Sequence, residues 1–155
     1  MRPSKLHFQE YGHMPHAGYG LIIKQDKLYA YHSILGNNDE PESRERGGNP
    51  LVEVPEPSEK MWDDFYQILC DIKVKEWSKS YVNMRILDGG GWIFKIRFKD
   101  INRSISGDND EPQAIVLNGF RVMPKQVLHK AIEELSSGVL TKVMDQDLYG
   151  GYWEE

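Results

Sequence analysis

The sequence predicts an α+β domain, an antiparallel sheet of about five to seven strands with two main helices packed on one face. Three observations lead there. From Val82 to Ile105 apolar side chains fall on every second residue, the period of strands with one face buried. Residues 58–72 and 123–135 carry apolar side chains at helical spacing instead. Hydrophobic content of 39%, with four Trp, eight Tyr and five Phe, gives a chain of 155 residues enough to fill one core. Residues 1–155 read as a single domain.

The elements follow in order. Residues 4–11 predict a short strand, with Leu6 and Phe8 alternating with Lys5 and His7. Gly12 to Gly20 is a loop. Tyr19 to Ile23 and Leu28 to His32 flank Lys24-Gln25-Asp26-Lys27 as a hairpin. Leu21 and Ile23 share one face, as do Leu28 and Ala30, while Tyr29 and Tyr31 take the opposite face of their strand. Residues 36–50 hold no large apolar side chain and predict a mobile polar loop. Leu51 to Val54 predicts a short edge strand, ended by Pro55 and Pro57.

Ser58 suits the N-cap of the first helix, whose stripe is Met61, Trp62, Phe65, Ile68, Leu69 and Ile72. Cys70 lies in that run and is expected to be a small buried hydrophobe. Trp77 and Tyr81 lie on the connection into three consecutive antiparallel strands. Their markers are Val82, Met84 and Ile86, then Trp92, Phe94, Ile96 and Phe98, then Ile101 and Ile105. Asp88-Gly89-Gly90-Gly91 predicts the first turn, because tight hairpins need the positive φ that glycine adopts without a Cβ clash. A phosphate-cradling loop would need a helix to follow, and an alternating strand follows instead. Ala114 to Leu117 predicts another short strand and Asn118-Gly119 a turn. Pro124 opens a second helix with the stripe Val127, Leu128, Ala131, Ile132 and Leu135. Residues 145–155 form an acidic, aromatic tail, expected to be frayed or docked.

Trp77, Tyr81, Asp88-Gly89, Trp92 and Gly107-Asp108-Asn109-Asp110-Glu111-Pro112 resemble a pattern of small uncharacterised bacterial proteins: Trp, Tyr, an Asp-Gly turn, Trp, then Gly-x-Asn-x-x-Pro. The resemblance spans under a quarter of the chain. It implies a small α+β domain with no established activity. Some proteins of that kind sit beside toxin or phage-defence systems, which implies an inhibitor or immunity role.

Net charge of −5 argues against bulk binding to nucleic acid or anionic membrane. One cysteine excludes an intrachain disulfide and a multi-cysteine metal site. No run reaches transmembrane length or forms a signal core, so the expected compartment is the cytoplasm. No nucleophile elbow, His-Glu-x-x-His helix or complete calcium loop is present, so no catalytic residue, metal ligand or cofactor is assigned. His13, His16 and His32 are the histidines from which a small hydrolase-like or metal-assisted enzyme would be built. Charge is unevenly placed: residues 39–64 hold nine acidic against three basic side chains, and residues 71–103 eight basic against four acidic. Arg85, Lys95 and Arg97 are expected to share one sheet face. Arg103 has the parity of the apolar face. The leading expectation is a non-enzymatic protein–protein interaction module that meets an acidic partner through Arg85, Lys95 and Arg97 or through the 36–50 loop.

Overall fold

A computed structural model describes residues 1–11, 18–33, 51–85 and 90–143. Seven strands form one sheet: β1 (Lys5–Tyr11), β2 (Gly18–Lys24), β3 (Lys27–Ser33), β4 (Val52–Glu53), β5 (Ser80–Val82), β6 (Gly91–Arg97) and β7 (Asn102–Asp108). Their spatial order is β4-β3-β2-β1-β6-β7-β5. β8 (Ile115–Leu117) and β9 (Phe120–Val122) make a separate hairpin. The main helices are α1 (Glu59–Asp71) and α2 (Pro124–Leu135), with a 3-10 turn at Val74–Glu76, and residues 139–143 are also helical. The α+β class, the two main helices and a sheet of up to seven strands are as the sequence predicts. The 36–50 loop, the Asp88-Gly89 part of the predicted turn and the 145–155 tail lie outside the described residues.

Local chemistry explains most boundaries. Ser58 caps α1, its hydroxyl accepting from the Met61 N–H at 3.1 Å. Pro124 starts α2, where its missing N–H costs no helical bond. The β2–β3 hairpin turns on Gln25 and Asp26, both at positive φ, and β8–β9 turns on Asn118 and Gly119 in the same way. Residue parity then sorts the sheet. Leu6, Phe8, Leu21, Ala30, Phe94, Ile96 and Ile105 face the layer of α1 and α2 and pack with Trp62, Phe65, Leu69, Leu128 and Ile132. Cys70 is exposed, against expectation, because it falls one residue past Leu69 and off the buried stripe.

The predicted three-strand meander is corrected at its first strand. β5 pairs with β7, in parallel, and is not the hairpin partner of β6. It covers only Ser80–Val82, and Met84 and Arg85 follow in an exposed turn. The cause is packing on the helix side. Tyr81 stacks on Trp92 with ring centroids 6.1 Å apart, and Trp77 meets Trp92 edge-on at 6.1 Å. Gly107 makes this possible, since a Cβ there would come within 2.0 Å of the Trp92 Nε1. The Trp77 indole donates to the Ile72 carbonyl and the Trp92 indole to the Asp110 carbonyl, both at 2.9 Å. Arg103 keeps its place on the apolar side by donating to the Lys75 carbonyl at 3.0 Å and to the Trp77 carbonyl. The described residues of the family-like pattern are therefore the fastening of β5 to the sheet.

The outer face has a buried polar centre. The Tyr31 hydroxyl donates to Gln9 Oε1 at 2.6 Å, and His7 Nε2 lies 2.6 Å from the Tyr31 hydroxyl oxygen. The hydroxyl's one proton is committed to Gln9, so His7 is the donor and carries its proton on Nε2. Tyr31 reaches β1 across β2 because position 20 is glycine. A Cβ on Gly20 would stand 2.7 Å from the Tyr31 hydroxyl oxygen.

Candidate functional site

Sheet register assembles a band of cations at one end of the outer face. Lys5 on β1 is directly opposite Arg97 on β6, and Lys24 on β2 is directly opposite Lys27 on β3. The β1–β2 register, with His7 opposite Ile22, carries Lys5 to the level of Lys24. Four cations therefore stand in one row across four adjacent strands, and Asn102 on β7 extends it. At about 4.8 Å between strands the row is roughly 19 Å long. Lys95 sits one step inward, opposite His7 and Ser104. Lys5, Lys27 and Arg97 are exposed and Lys24 and Lys95 are half-buried. The facing carboxylates among the described strand residues are Glu53, 3.8 Å from Lys27, and Asp108 at the far end of β7.

Of the three cations named from sequence, Lys95 and Arg97 share this face and Arg85 does not. Arg85 was placed there by extending the alternation of 82–86, but the strand ends at Val82 and Arg85 lies in the turn beyond it. Lys5, Lys24 and Lys27 were missed. Their parity was readable in each strand, but the register that lines them up was not.

A second polar cluster lies on the helix side. His129 on α2 places Nδ1 2.6 Å from Glu10 Oε1 and Nε2 2.9 Å from Glu133 Oε1. Lys125 Nζ is 3.2 Å from the same Glu10 oxygen. The rings of Phe8 and Tyr19 meet the imidazole edge-on at 5.8 and 5.9 Å. The Glu10 hydrogen bond raises the His129 pKa despite burial, with Glu133 adding to it. Burial pushes the Glu10 carboxyl up, but the His129 hydrogen bond and the Lys125 charge outweigh it and hold Glu10 below its ordinary value. Burial, then the Glu10 and Glu133 charges, push the Tyr19 hydroxyl up. Both ring nitrogens thus face carboxylate oxygens, which accept and do not donate, so the site favours the imidazolium. An open depression of about 500 Å³ lies over Glu10, Lys125, Gln126, His129, Lys130 and Glu133.

Of the three histidines from which the enzyme reading is built, His13 and His16 lie outside the described residues. His32 is buried in the row Glu10–Tyr19–His32, on the helix side. Among the described residues no group of three or more His, Cys, Asp or Glu is placed to hold a metal ion, and no helix is long and apolar enough to cross a membrane. No family model, curated protein or solved structure matches this chain.

Proposed function

We propose that this protein is a non-enzymatic binding module, of the inhibitor or immunity type, that captures an acidic surface of another protein with the band Lys5, Lys24, Lys27, Lys95 and Arg97. One observation carries the reading: Lys5 and Arg97, both exposed, stand directly opposite each other across neighbouring strands. Such pairs lower stability, by an amount on the scale of the 0.2–1 kcal/mol of a favourable cross-strand pair, roughly. The exposed Lys5–Arg97 pair opposes the fold, and a partner that neutralises it accounts for its presence. Complementary charge also speeds encounter and makes it sensitive to salt.

The test is capture from host lysate with the wild-type chain and with a Lys5→Glu, Lys24→Glu, Arg97→Glu variant. A stoichiometric acidic protein retained only by the wild type, and released as salt rises, supports the reading. Equal retention by both refutes it. The alternative, a small-ligand or enzymatic site, draws on the polar depression over Glu10 and His129, where donors and acceptors converge on one hollow. Ligand-induced protection of α2 in a metabolite screen, with no protein captured, would favour it.

A further inference from the structure

We infer that the free edge of β5 accepts an extended, acidic segment of the partner as an eighth strand. The inference rests on the reading above only in taking the ligand to be a protein. Among the described residues β5 is the last strand of the sheet. Its ladder fixes which backbone groups point outward. Ser106 N–H donates to the Lys79 carbonyl at 3.0 Å and Asn83 N–H to the Asp108 carbonyl at 3.0 Å. The groups of 79, 81 and 83 therefore face β7. Those of Ser80 and Val82, two N–H and two C=O, face away from the sheet. Both residues are exposed. Apolar surface lies beside them, since Val82 is 54% and Met84 86% exposed.

The edge is also held in place. Tyr81 is stacked on Trp92, and its hydroxyl accepts from the Ser78 N–H at 2.8 Å. A three-residue strand is thus presented in a fixed extended form, which reduces the ordering cost of adding another. The opposite edge differs, because β4 has two residues and is followed by Pro55 and Pro57.

Charge selects the occupant. Residues 79–85 hold Lys79 and Arg85 and no carboxylate, and Asp108 lies one strand inside. A second copy pairing antiparallel about Val82 would set Lys79 against Arg85, which is unfavourable. A segment alternating acidic and apolar residues would set carboxylates near Lys79 and its apolar side chains beside Val82.

The probe is an end-capped heptapeptide, Glu-Val-Glu-Val-Glu-Val-Glu, titrated into the isotope-labelled protein. The amides of Ser80 and Val82 should shift and exchange more slowly. Val82→Pro removes an outward N–H and leaves the β7 ladder whole, so it should weaken binding about tenfold. Lys79→Glu with Arg85→Glu, two exposed changes, should reject this peptide and admit its Lys-Val counterpart. Lys5→Glu with Arg97→Glu should leave peptide binding unchanged, which separates this site from the cation band. No response at Ser80 and Val82, or equal binding by Val82→Pro, overturns the inference. So does a wild-type dimer that Val82→Pro makes monomeric, since the occupant would then be a second copy.

Discussion

His129→Ala separates a charged clamp from ordinary packing, and its effect should depend on pH. In the wild type the imidazolium donates to Glu10 at 2.6 Å and to Glu133 at 2.9 Å. The side chains of His129 and Glu10 are 22% and 18% exposed, and that of Glu133 is 36% exposed. A hydrogen bond to a charged group contributes about 1.5–3 kcal/mol when shielded, and one to a half-exposed partner on the same helix about 1 kcal/mol or less. The expected loss for His129→Ala near pH 6, including about 1 kcal/mol of ring packing, is therefore about 2.5–5 kcal/mol, with Lys125 still holding Glu10. The folded-state pKa of His129 lies above its ordinary 6.5. Its contribution is then complete below 6.5 and is lost as pH rises through the folded value. Glu10 behaves oppositely. Its pKa is held below 4.5, so its contribution is present above 4.5 and lost as pH falls. The clamp is strongest between those two ordinary values. Urea unfolding of both chains at pH 6 and pH 9 measures the difference, in which other titrating groups cancel. The gap should narrow by pH 9, as the ring loses its charge and one of its two N–H donors and keeps its packing and the other N–H. A gap that stays constant or widens with pH would refute the imidazolium clamp.

Arg97→Glu should place opposite charges across the β1–β6 pair, raising stability by about 0.2–1 kcal/mol while weakening partner capture. A destabilised variant in chemical denaturation would count against the cost assigned to the cation row. Gly20→Ala should cost about 1–3 kcal/mol, because its Cβ would meet the Phe8 carbonyl at 2.5 Å and the Tyr31 hydroxyl at 2.7 Å. A thermal midpoint equal to wild type would show that Tyr31 can move aside. Arg103→Met should lose about 1.5–3 kcal/mol of charge-assisted bonding to the Lys75 and Trp77 carbonyls. It should also loosen β5, read as faster amide exchange at Tyr81. Ser58→Ala should cost about 0.5–2 kcal/mol through the lost α1 cap, measured by denaturation.

Local pattern made the layers legible. Alternation at 19–23 and 28–32, the helical stripes of 61–72 and 127–135, and the caps at Ser58 and Pro124 each concern neighbours in sequence, and each matches an observed element. β5 was misjudged because Val82 and Met84 alternate like a buried strand, whereas its partner is chosen by Tyr81 lying across Gly107 onto Trp92. That choice depends on a cross-strand gap, which one strand's pattern does not contain. The band had the same limit. Lys95 and Arg97 stood close together on one strand and were found, but Lys5, Lys24 and Lys27 join them only through pairings between distant segments. Glu10 and His129 meet across the β1–α2 interface, so nothing near either residue signals the other. β9 was missed because Phe120–Val122 is three residues long, too short for its alternation to repeat.

The place of β1 bears on how the chain acquires this structure. β1 joins two halves of the sheet: β2, β3 and β4 on one side, β6, β7 and β5 on the other. On a ribosome, β1, β2 and β3 can pair as soon as they emerge, but β6 is synthesised only after β4, α1 and β5. Through that interval β1 offers an unpaired edge, with Leu6 and Phe8 still without the α2 side chains that later cover them. Closing the β1–β6 seam brings together segments far apart in the chain, which makes it a slow step and the point most exposed to misassociation. A chain stalled before β6 should therefore recruit chaperones, and one released after α2 should not.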